Sequence, residues 1–360
     1  MITYNKLYEK LYSYENLLFA YKKAKKGKPK KIYVVNFEKN LEKNLLNLQE
    51  DLIKKNYYPS NMNRFIVRDP KTRTIHSSIF RDRIVHHAII NILGPIYQHI
   101  FIYDSFASQK GKGSHLAVER FEYFINKVSN GKVIKNNISK NQIRGYCLKA
   151  DFRKYFDSID HKVLIKIFEK KIRDKDFIDL ITKILSNFET YEGTGMPLGN
   201  YTSQFFANVY LNELDYYVKH ILNVKYYIRY VDDFVILHKN RNVLEYYLKH
   251  IKYFLPCLKI KLHPEKTEIH ALRNGVCFLG YRIFYNFKLL KKRNLRYFYY
   301  KINLAIKDYN SDILSKERFE GKINGWFGYA KFADTFNLRR EIIDYINKNI
   351  ASNKEKILIA

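Results

Sequence analysis

Cysteine, proline and glycine are scarce in this chain of 360 residues, which holds 3 Cys, 7 Pro and 14 Gly. Cys147, Cys257 and Cys277 lie far apart and are odd in number, which excludes a disulfide framework and the paired spacing of a zinc site. They read as buried thiols in a reducing compartment. No apolar run reaches the roughly 18 residues of a membrane span. The opening Met1-Ile2-Thr3-Tyr4-Asn5-Lys6 lacks the apolar block of a signal peptide, so a cytoplasmic protein with no membrane partner is expected. Acidic residues are also few, 35 Asp and Glu against 65 Lys and Arg, a formal charge of +30. A surface this basic repels itself until phosphates neutralise it, which implies a polyanionic partner.

What the chain has is bulk. It is 46% hydrophobic, with 32 Tyr and 25 Phe, which favours a large packed core over a chromatin-like or membrane-surface protein. The length implies two or three packed subdomains. Leu7, Leu11, Tyr14, Leu18 and Tyr21, then Leu41, Leu45, Leu48 and Leu52, recur at helical spacing and predict two N-terminal amphipathic helices. The lysine-rich stretch between them, around Gly27 and Pro29, reads as a solvated linker. From Arg64 to Arg83 short β-like stretches broken at Asp69-Pro70 carry Arg68, Lys71, Arg73, Arg81 and Arg83, a basic hairpin suited to gripping phosphate. The pair His86-His87 in the following helix reads as helix surface or nucleic-acid contact. Gly111-Lys112-Gly113-Ser114 is a flexible turn without the spacing of a Walker loop. Residues 126–144 are Asn/Lys-rich and read as an exposed connection.

A strand over Tyr146–Ala150 ends at Asp151, and Asp160 is placed to cap a helix bearing Val163, Leu164, Ile167 and Phe168. A second helix near 177–188, a glycine-marked loop at 193–199 and a helix carrying Ala207, Leu211, Leu214 and Val218 follow. Short strands are expected at Lys259–Leu262 and Val276–Phe284, and a basic helix carries Leu295, Tyr299, Ile302, Ile306 and Tyr309. Strands mostly joined by hairpins and interleaved with helices predict an α+β fold.

The chemistry centres on Tyr230-Val231-Asp232-Asp233, flanked by Tyr226-Tyr227-Ile228-Arg229 and Phe234-Val235-Ile236-Leu237. Aromatic and β-branched flanks favour strands, which puts the two acids at a tight hairpin turn. Adjacent carboxylates beside apolar strands gain most from a hard divalent cation, and oxygen ligands of this kind suit Mg²⁺. If the strand bearing Asp151 pairs beside this hairpin, three carboxylates meet at one sheet edge. Such a group could hold two Mg²⁺ against a primer hydroxyl and a nucleotide triphosphate.

From about Phe65 to Ala333 the chain resembles the reverse transcriptases, with motif order and spacing agreeing. Ala150-Asp151-Phe152 through Phe156-Asp157 is similar to the first palm motif, Gly195-Met196-Pro197-Leu198-Gly199 to the loop after it, and Tyr230-Val231-Asp232-Asp233 to the catalytic hairpin. Pro264-Glu265-Lys266-Thr267 resembles the lysine-bearing motif, and Phe278-Leu279-Gly280-Tyr281 the primer grip. The resemblance implies a right-hand polymerase: an N-terminal helical extension over 1–60, fingers over 61–149, a palm over 150–285 with part of the fingers inserted around 165–195, and a helical thumb over 286–360. It implies Asp151, Asp232, Asp233 and Phe152 as ligands of two Mg²⁺, and Lys266 as a proton donor or electrostatic aid to pyrophosphate departure. Arg73 and Lys71 would grip the triphosphate, and Phe156 would stand against the sugar and select deoxynucleotides.

Gly199-Asn200-Tyr201-Thr202-Ser203-Gln204 resembles the Gly-x-x-x-Ser-Gln signature of enzymes from diversity-generating retroelements, which places Gln204 with the substrate-binding residues. Trp326-Phe327-Gly328-Tyr329-Ala330 is similar to their thumb. Leu198 stands where many other reverse transcriptases keep a glutamine that contacts the nucleotide. The resemblance therefore implies error-prone copying at template adenines. It also implies a template RNA, a primer, deoxynucleotides and a small basic accessory protein as partners. The short tail after Ala330 is expected to leave no room for a ribonuclease H or endonuclease domain. A retron, group II intron or phage-defence relative is the alternative within the enzyme class, and a catalytically silent RNA-binding protein the alternative outside it.

Overall fold

The structure is a computed structural model that describes residues 2–69, 71–129 and 143–356. Pro70 and most of the Asn/Lys-rich stretch expected to be an exposed connection lie outside the described residues. The chain forms two compact units. One comprises Met1–Gly113, Lys149–Ile236 and Glu245–Glu268, the other Ser114–Leu148, Leu237–Leu244 and Ile269–Ala360.

The N-terminal region holds four helices where two were expected: α1 (Leu7–Tyr12), α2 (Tyr14–Lys25), α3 (Ile32–Glu38) and α4 (Leu41–Ile53). The reason for the first break is local. Ser13 takes an extended conformation and its side chain accepts from Asn16 N at 3.3 Å, so it caps α2 instead of continuing α1. The lysine-rich linker is shorter than its composition suggested, because α2 runs to Lys25 and Lys25 pairs with Glu38 of α3. The basic hairpin forms as read, with β1 (Asn63–Val67) antiparallel to β2 (Arg73–Ser77) and Val67 opposite Arg73.

Next come α5 (Phe80–Gln98), which packs along α2, and α6 (Ser114–Val128). His86 of α5 departs from its expected surface role. It is buried, bonded to Thr202 Oγ1 at 3.3 Å, and burial pushes its ring down to about 3. The buried-thiol expectation also fails for Cys257, which is exposed, while Cys147 is buried.

After β3 (Tyr146–Asp151), Asp160 caps α7 (His161–Glu169) by accepting from Val163 N at 2.9 Å, and α8 (Lys175–Ser186) and α9 (Tyr201–Tyr216) follow. β4 (Tyr227–Tyr230) and β5 (Asp233–His238) form the acidic hairpin, followed by α10 (Arg241–Phe254) and β6 (Glu268–Ala271). The sheet order is β4-β5-β3-β6, which puts the strand ending in Asp151 beside the strand beginning with Asp233. The strand expected at Lys259–Leu262 shrinks to a single bridge, Phe152 with Leu262, because Lys259 turns into a left-handed conformation.

In the second unit the strand expected over Val276–Phe284 folds back on itself. It becomes β7 (Val276–Phe278) and β8 (Tyr281–Ile283), with β9 (Lys288–Leu290) added to β8, because Leu279 and Gly280 both take positive φ. Three helices complete it: α11 (Lys292–Asn310), α12 (Lys316–Ala330) and α13 (Phe336–Asn349). Phe298, Ile302, Phe319, Ile323, Phe327, Ile342 and Ile346 fill their common core, and Trp326 stacks on Phe298 at 3.9 Å. Mixed helices and antiparallel hairpins make this the α+β fold expected from the sequence. No helix among the described residues is long and apolar enough to cross a membrane.

Candidate active site

The hairpin of β4 and β5 pairs Tyr230 with Asp233, leaving Val231 and Asp232 as its two-residue connection. Val231 has φ +54°. Two-residue hairpins that match strand twist need positive φ at this first position and favour glycine there, so a β-branched residue holds strain of about 1–3 kcal/mol. The surroundings must therefore determine the turn. Arg229, fully buried on β4, donates through Nε to Asp215 Oδ1 at 2.8 Å and through Nη2 to Asp215 Oδ2 at 2.6 Å. Its Nη1 donates to Asn208 Oδ1 at 2.9 Å and to the carbonyl of Val231 at 3.0 Å. The Tyr227 hydroxyl gives Asp215 a further bond at 2.7 Å.

Asp151 closes β3, and its main chain is fixed from the far side. His263 N donates to its carbonyl at 2.7 Å, and Arg153 N donates to Lys261 O at 2.9 Å. The Asp151 carboxylate pairs with Lys266 Nζ. The three acids sense one another. Burial raises Asp232 above the usual carboxylate range and the Asp151 charge adds to this, while Lys266 and Arg73 oppose it. Asp233 is pushed up to about 6, first by burial and further by Asp151 and Asp232, against the pull of Lys149 and Lys266. Lys266 is raised by its bond to Asp151. Phe152 offers no side-chain donor atom. Its ring is buried against Tyr155 and Phe234, so only its main chain could reach an ion.

The arrangement suits a hard cation in its chemistry but is not a finished cage. Among the described residues no three His, Cys, Asp or Glu side chains are grouped closely enough to hold an ion as they stand. Lys266 provides the positive charge at Asp151 instead. A carboxylate pushed up to about 6 by burial and like charge is nevertheless a group that a divalent cation would relieve, and an all-oxygen donor set fits Mg²⁺.

Other expected residues surround these acids to differing degrees. Arg73 opens β2, is exposed, and lies within electrostatic reach of Asp232, whereas among the described residues no hydrogen bond or ion pair joins the exposed Lys71 to the acids. The glycine loop is tied to β2: His76 N donates to Leu198 O at 2.9 Å, and Ser78 N donates to the buried Asn200 Oδ1 at 3.0 Å. Gly199 is required there, since a Cβ would sit 2.7 Å from Ile75 Cγ2 and its φ is +125°. Half-buried Phe156 accepts from Met196 N at 2.8 Å through its carbonyl, joining the turn after Asp151 to the same loop. Gln204 is exposed on α9 and meets Ser108 Oγ at 3.2 Å. Phe278, Leu279, Gly280 and Tyr281 form the β7–β8 turn of the second unit. There the Tyr329 hydroxyl and Lys291 N donate to Gly280 O at 2.8 and 3.1 Å.

The residues that sequence reasoning missed are Arg229, Asp215 and Asn208. One signal was available: Arg229 is a lone charge in an otherwise apolar and aromatic strand. A charge there must be paired if the strand is buried, but its partners sit on α9 and no spacing rule names them.

Residues 54–283 match the family described as reverse transcriptase (RNA-dependent DNA polymerase). The chain is 24% identical over 279 residues to Protein YkfC of Escherichia coli (strain K12), covering 66% of this chain and 70% of that protein. It is 30% identical over 173 residues to Group II intron-encoded protein LtrA of Lactococcus lactis subsp. cremoris, covering 45% of this chain. That alignment spans 26% of the Lactococcus protein, well under two thirds of its length. A Putative COX1/OXI3 intron 2 protein of Saccharomyces cerevisiae is 24% identical over 266 residues, 56% of this chain and 29% of that protein. With a match that covers well over half its length, laid on an α+β fold whose sheet brings Asp151, Asp232 and Asp233 within reach of one another's charge, this chain belongs to the reverse transcriptase family of RNA-directed DNA polymerases.

Proposed function

We propose that the protein copies an RNA template into DNA, and that the end of the β3–β5 sheet is where the bond forms. The observation that carries this reading is the mutual charge of Asp151, Asp232 and Asp233 beside Arg73. The primer 3′-hydroxyl attacks the α-phosphate of a deoxynucleotide in line; a P–O bond forms, pyrophosphate leaves, and the hydroxyl proton passes to solvent. Asp151, Asp232, Asp233 and the main chain of Phe152 would hold two Mg²⁺, which supply charge neutralisation for the attacking and leaving oxygens. Arg73, with Lys71 beside it, grips the triphosphate. Lys266 moves from Asp151 to the departing pyrophosphate as proton donor or electrostatic aid. Phe156 stands against the sugar, Leu198 and Gln204 line the nucleotide, and Phe278 to Tyr281 hold the primer end. In this reading 1–60 is an extension, 61–149 the fingers, 150–285 the palm with a fingers insertion around 165–195, and 286–360 the thumb of a cytoplasmic enzyme. Extension of a primer on an RNA template in Mg²⁺, lost in Asp232→Asn, is the test. No extension by the wild-type chain, with RNA still bound, would favour the silent RNA-binding alternative.

The finer reading is an error-prone enzyme of the diversity-generating retroelement type, working with a template RNA and a small basic accessory protein. Leu198 supports it, because an aliphatic side chain in the loop tied to β2 has no hydrogen bond to give a nucleotide. Leu198→Gln should then lower misincorporation opposite template adenine; an unchanged error spectrum on sequencing the products counts against it. Similarity to Group II intron-encoded protein LtrA favours a second reading, an intron- or retron-type enzyme, for which adenines would show no excess of errors.

A further inference from the structure

Arg229 makes more bonds than a buried charge requires. Two of its nitrogens engage Asp215 in a bidentate pair, which is what a guanidinium needs when it is removed from water. The remaining nitrogen is directed elsewhere, to Asn208 Oδ1 and to the carbonyl of Val231 inside the turn. The main chain of Arg229 is itself bracketed: its N–H donates to Asp104 O and its carbonyl accepts from Phe106 N, both at 3.0 Å. Asn208 in turn donates through Nδ2 to Ala107 O at 2.8 Å, so one asparagine ties the same loop to the guanidinium. The loop over 104–107 and α9 thus converge on Arg229 of β4, whose Nη1 alone of these groups reaches the Val231 main-chain oxygen.

That oxygen belongs to the peptide unit joining Val231 to Asp232, in a turn whose first residue has φ +54°. Releasing Val231 from this conformation would rotate the peptide and carry the Asp232 side chain with it. We infer that Arg229 is a positioning residue for the polymerase reaction: its bond to Val231 O holds a turn that valine disfavours and so fixes Asp232 at the head of β5, the strand paired beside the one that ends in Asp151. An ion pair serving only the core accounts for the Asp215 bonds and leaves the Val231 bond without a purpose. The inference rests on the proposed polymerase activity for its kinetic consequence, but its structural half stands alone.

The test is Arg229→Lys, which keeps the charge for Asp215 and gives up the fork. Amide hydrogen exchange over 230–233 should speed up by about tenfold while α2 and α5 stay protected. Primer extension should lose about tenfold or more in kcat with the deoxynucleotide KM unchanged, since a displaced carboxylate costs chemistry rather than binding. Adding Val231→Gly, which takes positive φ without strain, should restore both exchange protection and most of the rate. Unchanged exchange in the hairpin, or a rate loss that Val231→Gly leaves untouched, overturns the inference. If Arg229→Lys does not fold, Asn208→Leu removes the acceptor of Arg229 Nη1 and the donor to Ala107 O and spares the Asp215 pair. It should speed hairpin exchange by roughly threefold, and no change there is equally fatal. A wild-type chain that extends no primer defeats the polymerase reading, while the exchange experiment still decides the role of Arg229.

Discussion

Two hairpin turns, one in each unit, meet the same geometric demand with opposite chemistry. The β4–β5 turn puts valine at φ +54° and its carbonyl is held by a buried arginine on its own strand. The β7–β8 turn uses Leu279 at φ +45° and Gly280 at φ +94°, and its carbonyl is held by the neutral hydroxyl of Tyr329 on α12. The first turn stores strain and depends on an ion pair that must be complete. The second places a glycine at one of its two positive-φ positions and depends on neutral donors alone: the Tyr329 hydroxyl, Lys291 N and, at 3.5 Å, Asn294 Nδ2. Strain held by a charge network is expected where orientation of a side chain matters, and a glycine turn where close approach of the backbone matters.

Breaking each turn should separate the two strategies. The largest effect is expected from Arg229→Ala, which strands the Asp215 carboxylate without its partner in the core. Urea unfolding should show a loss of about 3–5 kcal/mol. Next is Gly280→Ala. Its Cβ would lie 3.0 Å from the Tyr329 hydroxyl and its φ strains any other residue, so a loss of about 1–3 kcal/mol is expected, read by the same method. Tyr329→Phe should cost less, about 0.5–1.5 kcal/mol, because the two bonds that disappear, to Gly280 O and from Asn294 Nδ2, are neutral, and Lys291 N and Asn294 Nδ2 still serve the Gly280 carbonyl. A Tyr329→Phe loss as large as that of Arg229→Ala would erase the distinction.

Acid sharpens the same contrast. Asp233 is held at about 6, above the ordinary carboxylate value, so the folded state binds its proton more tightly than the unfolded chain does. Its stabilising contribution is complete at pH values below the unfolded value and is lost as pH rises through about 6. Asp233→Asn, which cannot ionise, should therefore gain in Tm relative to wild type between about pH 4 and pH 7, in metal-free buffer. Adding Mg²⁺ should shrink that gain by favouring the ionised form. A Tm difference flat across this range would remove the titration from Asp233. The smallest expected effect is in the second turn, Leu279–Gly280, which itself holds no carboxylate, and the pH dependence of Gly280→Ala should follow wild type.

Much of this architecture is legible in the order of residues. The acidic hairpin, the cap at Asp160 and the basic hairpin at Arg73 are written in local patterns, because strand propensity, capping and turn chemistry act over a few residues. Elsewhere local pattern leaves two outcomes open, and the backbone or a distant partner chooses between them. Ser13 could have continued a helix and caps one instead. His86 lies in a helix whose buried face is set by contact with α9. The strand over Val276–Phe284 keeps β-like residues throughout, yet the turn at Leu279–Gly280 folds it.

Taken alone, the sequence determined which residues carry charge, where most strands and turns fall, and which family motifs stand in which order. It could not decide that Asp151 and Asp232 share a field, that Lys266 sits on Asp151, or that Arg229 closes on Val231 within a network anchored on α9. Those facts depend on residues far apart in the chain. At Arg229 and Asp215, burial removes the screening water and gives the charges the strength to act on one another.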